Sequence, residues 1–288
     1  MDKRIAGLVE IADRYKAIFC DVWGVVHNGQ SVYTAATSAL QSYREAGGRV
    51  VLLTNSPRPD SGVIQQLNQM GVDPQTYDAV VTSGDATRQL IREAKGPLFH
   101  LGPDRDRPLF EGMDQQIGDA GQAETIVCTG LFDDEVETPD DYRQMLSEFV
   151  ARGTPLICAN PDLVVERGEK LIWCAGALAQ LYQELGGTSL LAGKPHPPIY
   201  RLARTKLEEL DPTLTDVADI LAIGDGLPTD VAGADANGHD LLYISAGIHH
   251  SHYGGADNPD PQQLIAFMQE NNASMNYWMP RLQWQGMG

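Results

Sequence analysis

The chain has few cysteines, few cations and no long apolar run, and each shortage narrows what it can do. Its four cysteines, Cys20, Cys128, Cys158 and Cys174, make no C-x-x-C pair, and at least three lie in apolar stretches. That spacing supports neither a zinc ribbon nor a disulfide framework, and it fits buried thiols in a reducing compartment. Lys and Arg number 21 against 39 Asp and Glu, a formal net charge of −18. Such a surface argues against duplex nucleic acid or an anionic membrane as the main partner. It leaves an anionic small molecule open, because a bound cation reverses the local field. No apolar run reaches the ~20 residues that span a bilayer, and the opening MDKRIAGLVEIADRYKAIF lacks the apolar core of a signal peptide. A soluble, cytoplasmic protein is expected.

What is present is enough for a sizeable core. Hydrophobic residues are 42% of 288, which suits one large domain or two smaller ones. Short apolar runs alternate with amphipathic helical stretches, the pattern of βαβ units and a parallel sheet. Candidate strands are Ala17 to Cys20, Arg49 to Leu53, Ala79 to Val81, Thr125 to Cys128, Pro155 to Ala159, Ile220 to Ile223 and Leu241 to Ile244. Candidate helices include Thr34 to Glu45, Gly62 to Met70, Ala86 to Glu93, Pro139 to Arg152, Ala177 to Leu185, Pro197 to Leu210 and Pro261 to Asn271. The expected fold class is α/β, a Rossmann-like doubly wound parallel sheet.

Three of these strands end on small polar or acidic residues. Ala17 to Cys20 runs into Asp21, Arg49 to Leu53 into Thr54-Asn55-Ser56, and Ile220 to Ile223 into Gly224-Asp225. Ligands of open α/β sheets bind outside the carboxyl ends of the strands. Asp21, Thr54 and Asp225 are therefore expected at one edge, although each alone also reads as a helix cap or turn residue. A carboxylate there can attack phosphorus and split one displacement into two. Two anions repel, so Asp21 and Asp225 can share Mg²⁺, a hard cation with oxygen ligands. Asp230, five residues on in GDGLPTD, can orient metal-bound water. Thr54 offers a hydroxyl, Asn55 a backbone N–H and Lys194, in AGKPHPP, a compact positive charge for phosphate. Lys194 also reads as a surface lysine before a Pro-rich turn.

Asp21, TNS at Thr54, GKP at Lys194 and GDGLPTD at Gly224 resemble the four ordered motifs of the haloacid dehalogenase superfamily. The resemblance implies that Asp21 is phosphorylated, that Thr54, Asn55, Ser56 and Lys194 bind phosphate, and that Asp225 and Asp230 serve Mg²⁺. Spacing points to a branch. Only 33 positions separate Asp21 from Thr54, too few for a cap domain, whereas 140 separate Thr54 from Lys194. That arrangement resembles class IIA, the C2-capped branch, which includes p-nitrophenyl phosphatases and sugar- or pyridoxal-phosphate phosphatases. It implies an inserted α/β cap over about 86–187, with a catalytic core formed by 1–85 and 188–288. Within the insert, CANPDLVVERGEKLIWCAGALAQLY resembles the branch's second cap segment. There a strand ends at Asn160-Pro161-Asp162 and a helix follows Gly176. Asn160 and Asp162 are candidates for facing the substrate, with an Asx-type turn as the structural alternative. The branch also suggests a homodimer formed through the cap.

One position departs from the family pattern. Phosphatases of this superfamily usually carry a second Asp two residues after the nucleophile, as general acid and base. Here it is Trp23, and indole cannot shuttle a proton at neutral pH. Its backbone carbonyl still suits the metal position that the resemblance assigns it. His27, four residues on, is a candidate replacement proton donor or a plain loop residue. The expected function is Mg²⁺-dependent hydrolysis of a small-molecule phosphomonoester. The alternative is a phospho-ligand binder with little turnover. A dehalogenase is disfavoured, because that branch uses no metal and caps after the first motif. Two further features stand apart: HHSHY at His249, read as a loop near the site rim, and the tail NYWMPRLQWQGMG, which either contacts a partner or packs on the core.

Overall fold

Strands buried on both faces read as unbroken apolar runs, and the central strands here do so. Ala17–Cys20 (AIFC) and Ile220–Gly224 (ILAIG) are buried at every position. The computed structural model describes residues 3–167 and 170–285. Gly168 and Glu169 of the second cap segment and the last three residues of the Trp-bearing tail lie outside the described residues. The chain divides into two compact units. One is Met1–Thr54, Gln65–Val81 and Tyr200–Gly288; the other is Asn55–Ile64 and Thr82–Ile199.

The first unit carries a seven-stranded sheet in the order Lys3–Arg4, Tyr277–Met279, Asp240–Ile244, Ile220–Gly224, Ala17–Cys20, Arg49–Thr54, Ala79–Thr82. Pairings from Lys3–Arg4 across to Arg49–Thr54 are all parallel. From Ala17–Cys20 the chain steps one way, through the helix Thr34–Glu45 to Arg49–Thr54. From Ile220–Gly224 it steps the other way, through the helix Ala232–Asn237 to Asp240–Ile244 and through Pro261–Glu270 to Tyr277–Met279. Right-handed crossovers that reverse direction put their helices on opposite faces, which makes the sheet doubly wound. The switch point lies between Ile220–Gly224 and Ala17–Cys20, where the registers Ile220↔Ala17 to Ile223↔Cys20 bring the two carboxyl ends level.

Against this sheet Tyr243, Tyr253, Leu264, Met268 and Trp278 form one buried cluster. The tail therefore packs on the core: Trp278 sits in the strand Tyr277–Met279 with the Arg4 guanidinium 5.1 Å over its ring.

The second unit is an inserted α/β unit with a four-stranded parallel sheet, ordered Ser189–Leu191, Leu156–Cys158, Thr125–Cys128, Leu98–Leu101. Side chains alternate across a strand, and the two faces feed different cores. Ile126, Cys128, Leu156 and Cys158 pack with Leu146, Phe149, Leu178 and Tyr182. Leu98, Val127 and Ile157 pack with Ile91, Leu109 and Phe110. A hairpin of Val164–Arg167 and Lys170–Trp173 precedes the helix Ala175–Glu184. That helix begins one residue before Gly176, not after it. Gly176 has no room for a side chain, since a Cβ there would strike the Pro161 and Asp162 carbonyls. The stretch from Pro139 opens as a 3-10 turn, Pro139–Tyr142, before the α-helix Arg143–Ala151. All four cysteines are buried, and none is in a disulfide. Among the described residues no helix is long and apolar enough to cross a membrane.

Candidate active site

Three carboxylates gather at the switch point of the first unit. Asp21 follows the strand Ala17–Cys20, and its N–H donates to the Ile223 carbonyl across the strand pair at 2.8 Å. Asp225 follows the neighbouring strand, and Asp230 follows one turn later. One oxygen from each lies within 4.8 Å of the others. All three are buried, at 7%, 5% and 6% exposure. Thr54, buried at the end of the next strand, completes the row of three strand ends expected from the sequence.

The turn that carries Asp225 and Asp230 is held from several sides. Leu227–Val231 winds as a π-helical turn, with the Asp230 and Val231 N–H groups both donating to the Gly226 carbonyl. Such turns recur at functional sites because they re-aim a side chain. The Gly226 N–H donates to Asp230 Oδ2 (3.1 Å) and the Ile248 N–H to Asp225 Oδ2 (2.8 Å). The Leu227 N–H donates to His249 Nε2 (3.2 Å). Gly24, at φ +88°, and Gly247 both lie against the Asp225 carboxyl, and a Cβ at either would collide with it. Burial pushes the His249 imidazole down to about 4, so the ring is a neutral acceptor at pH 7.

The sequence reading put HHSHY near the rim without assigning it a task. Its location just past the strand Asp240–Ile244 was the available signal for its contact with the turn. Among the described residues its histidines join no metal-ligand cluster. His249 and His252 instead pack on Phe267, the latter stacked at 4.7 Å.

The donor set suits a hard divalent cation. It is all carboxylate oxygen, buried and convergent, with glycines where a side chain would intrude, and it lacks the nitrogen and sulfur that zinc favours. Mg²⁺ fits these residues.

Trp23 is half-buried in the loop after Asp21. Its indole meets the His27 ring edge-on at 5.0 Å and 72°, and Gly29, at φ +82°, lies under its benzo ring. His27 is buried, and its Nδ1 accepts the Gly29 N–H at 2.9 Å. Burial pushes its pKa down to about 4. His27 therefore stands neutral with one nitrogen committed, which is poor equipment for a proton donor at pH 7.

In the second unit Lys194 is no surface residue: it is 3% exposed. Asn55 fixes its backbone at both ends. The Lys194 N–H donates to Asn55 Oδ1 (2.7 Å), and Asn55 Nδ2 donates to the Lys194 carbonyl (3.2 Å) and to Asp162 Oδ1 (2.8 Å). Asn160 Oδ1 accepts the Asp162 N–H at 3.1 Å, the Asx-type turn that was the structural alternative. Ser56 Oγ accepts the Arg58 N–H at 3.3 Å. Gly193 is wedged against Asn55, Pro161 and Ser83, with a Cβ there only 2.7 Å from the last two. The structure thus brings Asn55, Asp162 and Lys194 together, and it brings Asp21, Asp225 and Asp230 together.

Comparison with known proteins agrees with this picture. A family model described as haloacid dehalogenase-like hydrolase matches residues 18–116, and one described as HAD-hydrolase-like matches 191–266. The crystal structure of a haloacid dehalogenase-like family hydrolase from Brucella suis 1330 is 46% identical, covers 98% of this chain and 100% of its own, and superposes with a TM-score of 0.87. The 5'-nucleotidase YutF of Bacillus subtilis (strain 168) is 24% identical over 272 residues, which is 92% of this chain and 98% of that protein. The ribonucleotide monophosphatase NagD of Escherichia coli (strain K12) is 24% identical over 248 residues, 81% of this chain and 88% of that protein. These matches are consistent with the C2-capped branch that the motif spacing singles out.

Proposed function

The chain belongs to the haloacid dehalogenase-like hydrolases, and from that premise we propose that it is a Mg²⁺-dependent phosphatase acting on small-molecule phosphomonoesters through a phospho-aspartate at Asp21. The observation that carries this reading is the convergence of three buried carboxylates at the switch point of the parallel sheet. Burying three acids together is costly, and a dedicated cation and an anionic substrate explain why the fold does so.

In this reading Asp21 attacks phosphorus, and Asp225 and Asp230, with Asp21 and the Trp23 carbonyl, hold the ion. Bound Mg²⁺ supplies the positive charge that lets an anionic phosphate approach anionic carboxylates. The Ile248 and Gly226 N–H groups keep Asp225 and Asp230 oriented as acceptors. Thr54, Asn55, Ser56 and Lys194 are the donors assigned to the phosphate oxygens. Asn55 has a second task, because its side chain locks the backbone that carries Lys194. We assign the inserted unit as the cap, with Asn160 and Asp162 helping to choose the leaving group.

Trp23 favours a second reading, a phospho-ligand binder with little turnover. One assay decides between the two: phosphate release from p-nitrophenyl phosphate and a panel of small esters, with Mg²⁺, with EDTA, and for Asp21→Asn. Mg²⁺-dependent release that disappears in the variant is the expected result. Phosphate binding without release from any donor would favour the binder.

A further inference from the structure

We propose that this protein acts on phosphoryl groups whose leaving group departs unprotonated (acyl phosphates, phosphoanhydrides, enol and aryl phosphates) and handles alkyl phosphate esters poorly. The inference rests on the phosphatase reading above and narrows its substrate class. It comes from the loop that follows Asp21. An alkoxide is a strong base, so an alkyl ester needs an acid beside the departing oxygen. A positioned acid is typically worth about 10²–10⁴ in rate.

Nothing on that loop is placed to be one. Val22, Gly24, Val25 and Val26 carry no acid, and the indole of Trp23 has a donor N–H that it does not give up. The ring is also fixed, since the His27 edge meets it at 5.0 Å and Gly29 lies against Cζ2. His27 is buried, and its Nδ1 accepts the Gly29 N–H. Asn28 Oδ1 is occupied by the N–H groups of Gln30 (3.1 Å) and Ser31 (2.8 Å). Asp225 Oδ2 accepts the Ile248 N–H and Asp230 Oδ2 the Gly226 N–H, and the phosphatase reading commits both carboxyls to the ion. His249 Nε2 accepts the Leu227 N–H.

The chemistry then runs in two steps. An Asp21 oxygen attacks phosphorus, the bond to the leaving oxygen breaks, and its electron pair departs as carboxylate, phosphate, enolate or phenolate. Water attacks the same phosphorus, the bond to Asp21 breaks with its electrons returning to the carboxylate, and both hydrogens of the water leave on inorganic phosphate as H2PO4−. The same loop lacks a base for the water, so the second step is slow and the phospho-aspartate accumulates.

The test is a leaving-group series on the full chain with Mg²⁺, corrected for the Asp21→Asn background: acetyl phosphate, p-nitrophenyl phosphate, phenyl phosphate and glycerol phosphate. The expected kcat/KM falls as leaving-group pKa rises, with glycerol phosphate at least ~100-fold below acetyl phosphate. Acetyl phosphate should show a burst of about one equivalent of product before the steady rate. Trp23→Asp should raise the glycerol phosphate rate about 100-fold or more and flatten the series. If that variant does not fold, the wild-type slope and burst decide the question alone. Equal rates across the series, with release still dependent on Asp21, would overturn this inference and leave the phosphatase reading standing. No release from any donor, acetyl phosphate included, would overturn both.

Discussion

Asn55→Ala should destabilise the chain by about 3 kcal/mol, far more than a polar loop residue usually costs. The substitution removes the acceptor of the Lys194 N–H, which sits 2.7 Å from Asn55 Oδ1 in a buried stretch. Leaving a buried N–H unpaired costs about 1–3 kcal/mol. It also removes the Nδ2 hydrogen bonds to Asp162 Oδ1 and the Lys194 carbonyl. A bond to a carboxylate is worth about 1.5–3 kcal/mol, less here because half-exposed Asp162 regains water. Urea unfolding of the full chain, followed by far-UV circular dichroism, gives the number. Asp162→Ala added to Asn55→Ala should cost less than Asp162→Ala alone, because the shared bond is already gone. A variant within about 0.5 kcal/mol of wild type would refute the claim that Asn55 holds this loop.

Other consequences are as open to measurement. Gly247→Ala keeps an ordinary backbone conformation, but its Cβ would come well under 3.0 Å from the Cβ and carboxyl of Asp225, an overlap no rotamer relieves. The expected result is about 100-fold lower kcat/KM, weaker Mg²⁺ binding by calorimetry, and an unfolding midpoint lowered by the roughly 1–3 kcal/mol that such overpacking costs. Trp278→Ala empties a buried site in the sheet of the first unit and should cost about 3–5 kcal/mol in denaturant unfolding. His100 is buried with Nε2 2.9 Å from Thr129 Oγ1, and burial pushes its pKa down to about 4 from an ordinary 6.5. The unfolded chain thus binds the proton first. Stability from this group is full above pH 6.5, falls as pH drops from 6.5 to 4, and changes no further below. Its share is up to about 3 kcal/mol, and His100→Gln should lose correspondingly less between pH 7 and 4.5 by urea midpoint.

Much of this architecture was legible before any coordinates, for identifiable reasons. Ala17–Cys20, Thr125–Cys128, Thr34–Glu45 and Pro197–Leu210 match the sequence reading residue for residue. The strands among them are unbroken apolar runs, and the helices start at a Thr or a Pro that defines their first turn. Parallel strands ending on Asp21, Thr54 and Asp225 could be placed at one edge because that edge is where such sheets put their ligands.

What escaped the reading has weaker local signals. Leu98–Leu101 is a strand of four with a histidine inside it, and Val164–Arg167 with Lys170–Trp173 is a partly exposed hairpin lacking clean alternation. Tyr277–Met279 looked like an aromatic tail, because only the assembled sheet supplies its two neighbours. In the site, the backbone of Gly247 and Ile248 supports Asp225, and a backbone N–H leaves no mark in a sequence. The idle posture of His27 depends on a bond to Gly29 two residues away, which spacing alone does not reveal.

The central claim is that Asp21 carries the phosphoryl group, and acid-quenched protein can be asked directly. After brief exposure to acetyl phosphate and Mg²⁺, peptide mass spectrometry should find one added phosphoryl group on the peptide containing Asp21, absent with EDTA and absent in Asp21→Asn. A phosphoryl group on another residue, or release of phosphate with no such adduct at any quench time and full activity in Asp21→Asn, would contradict the account.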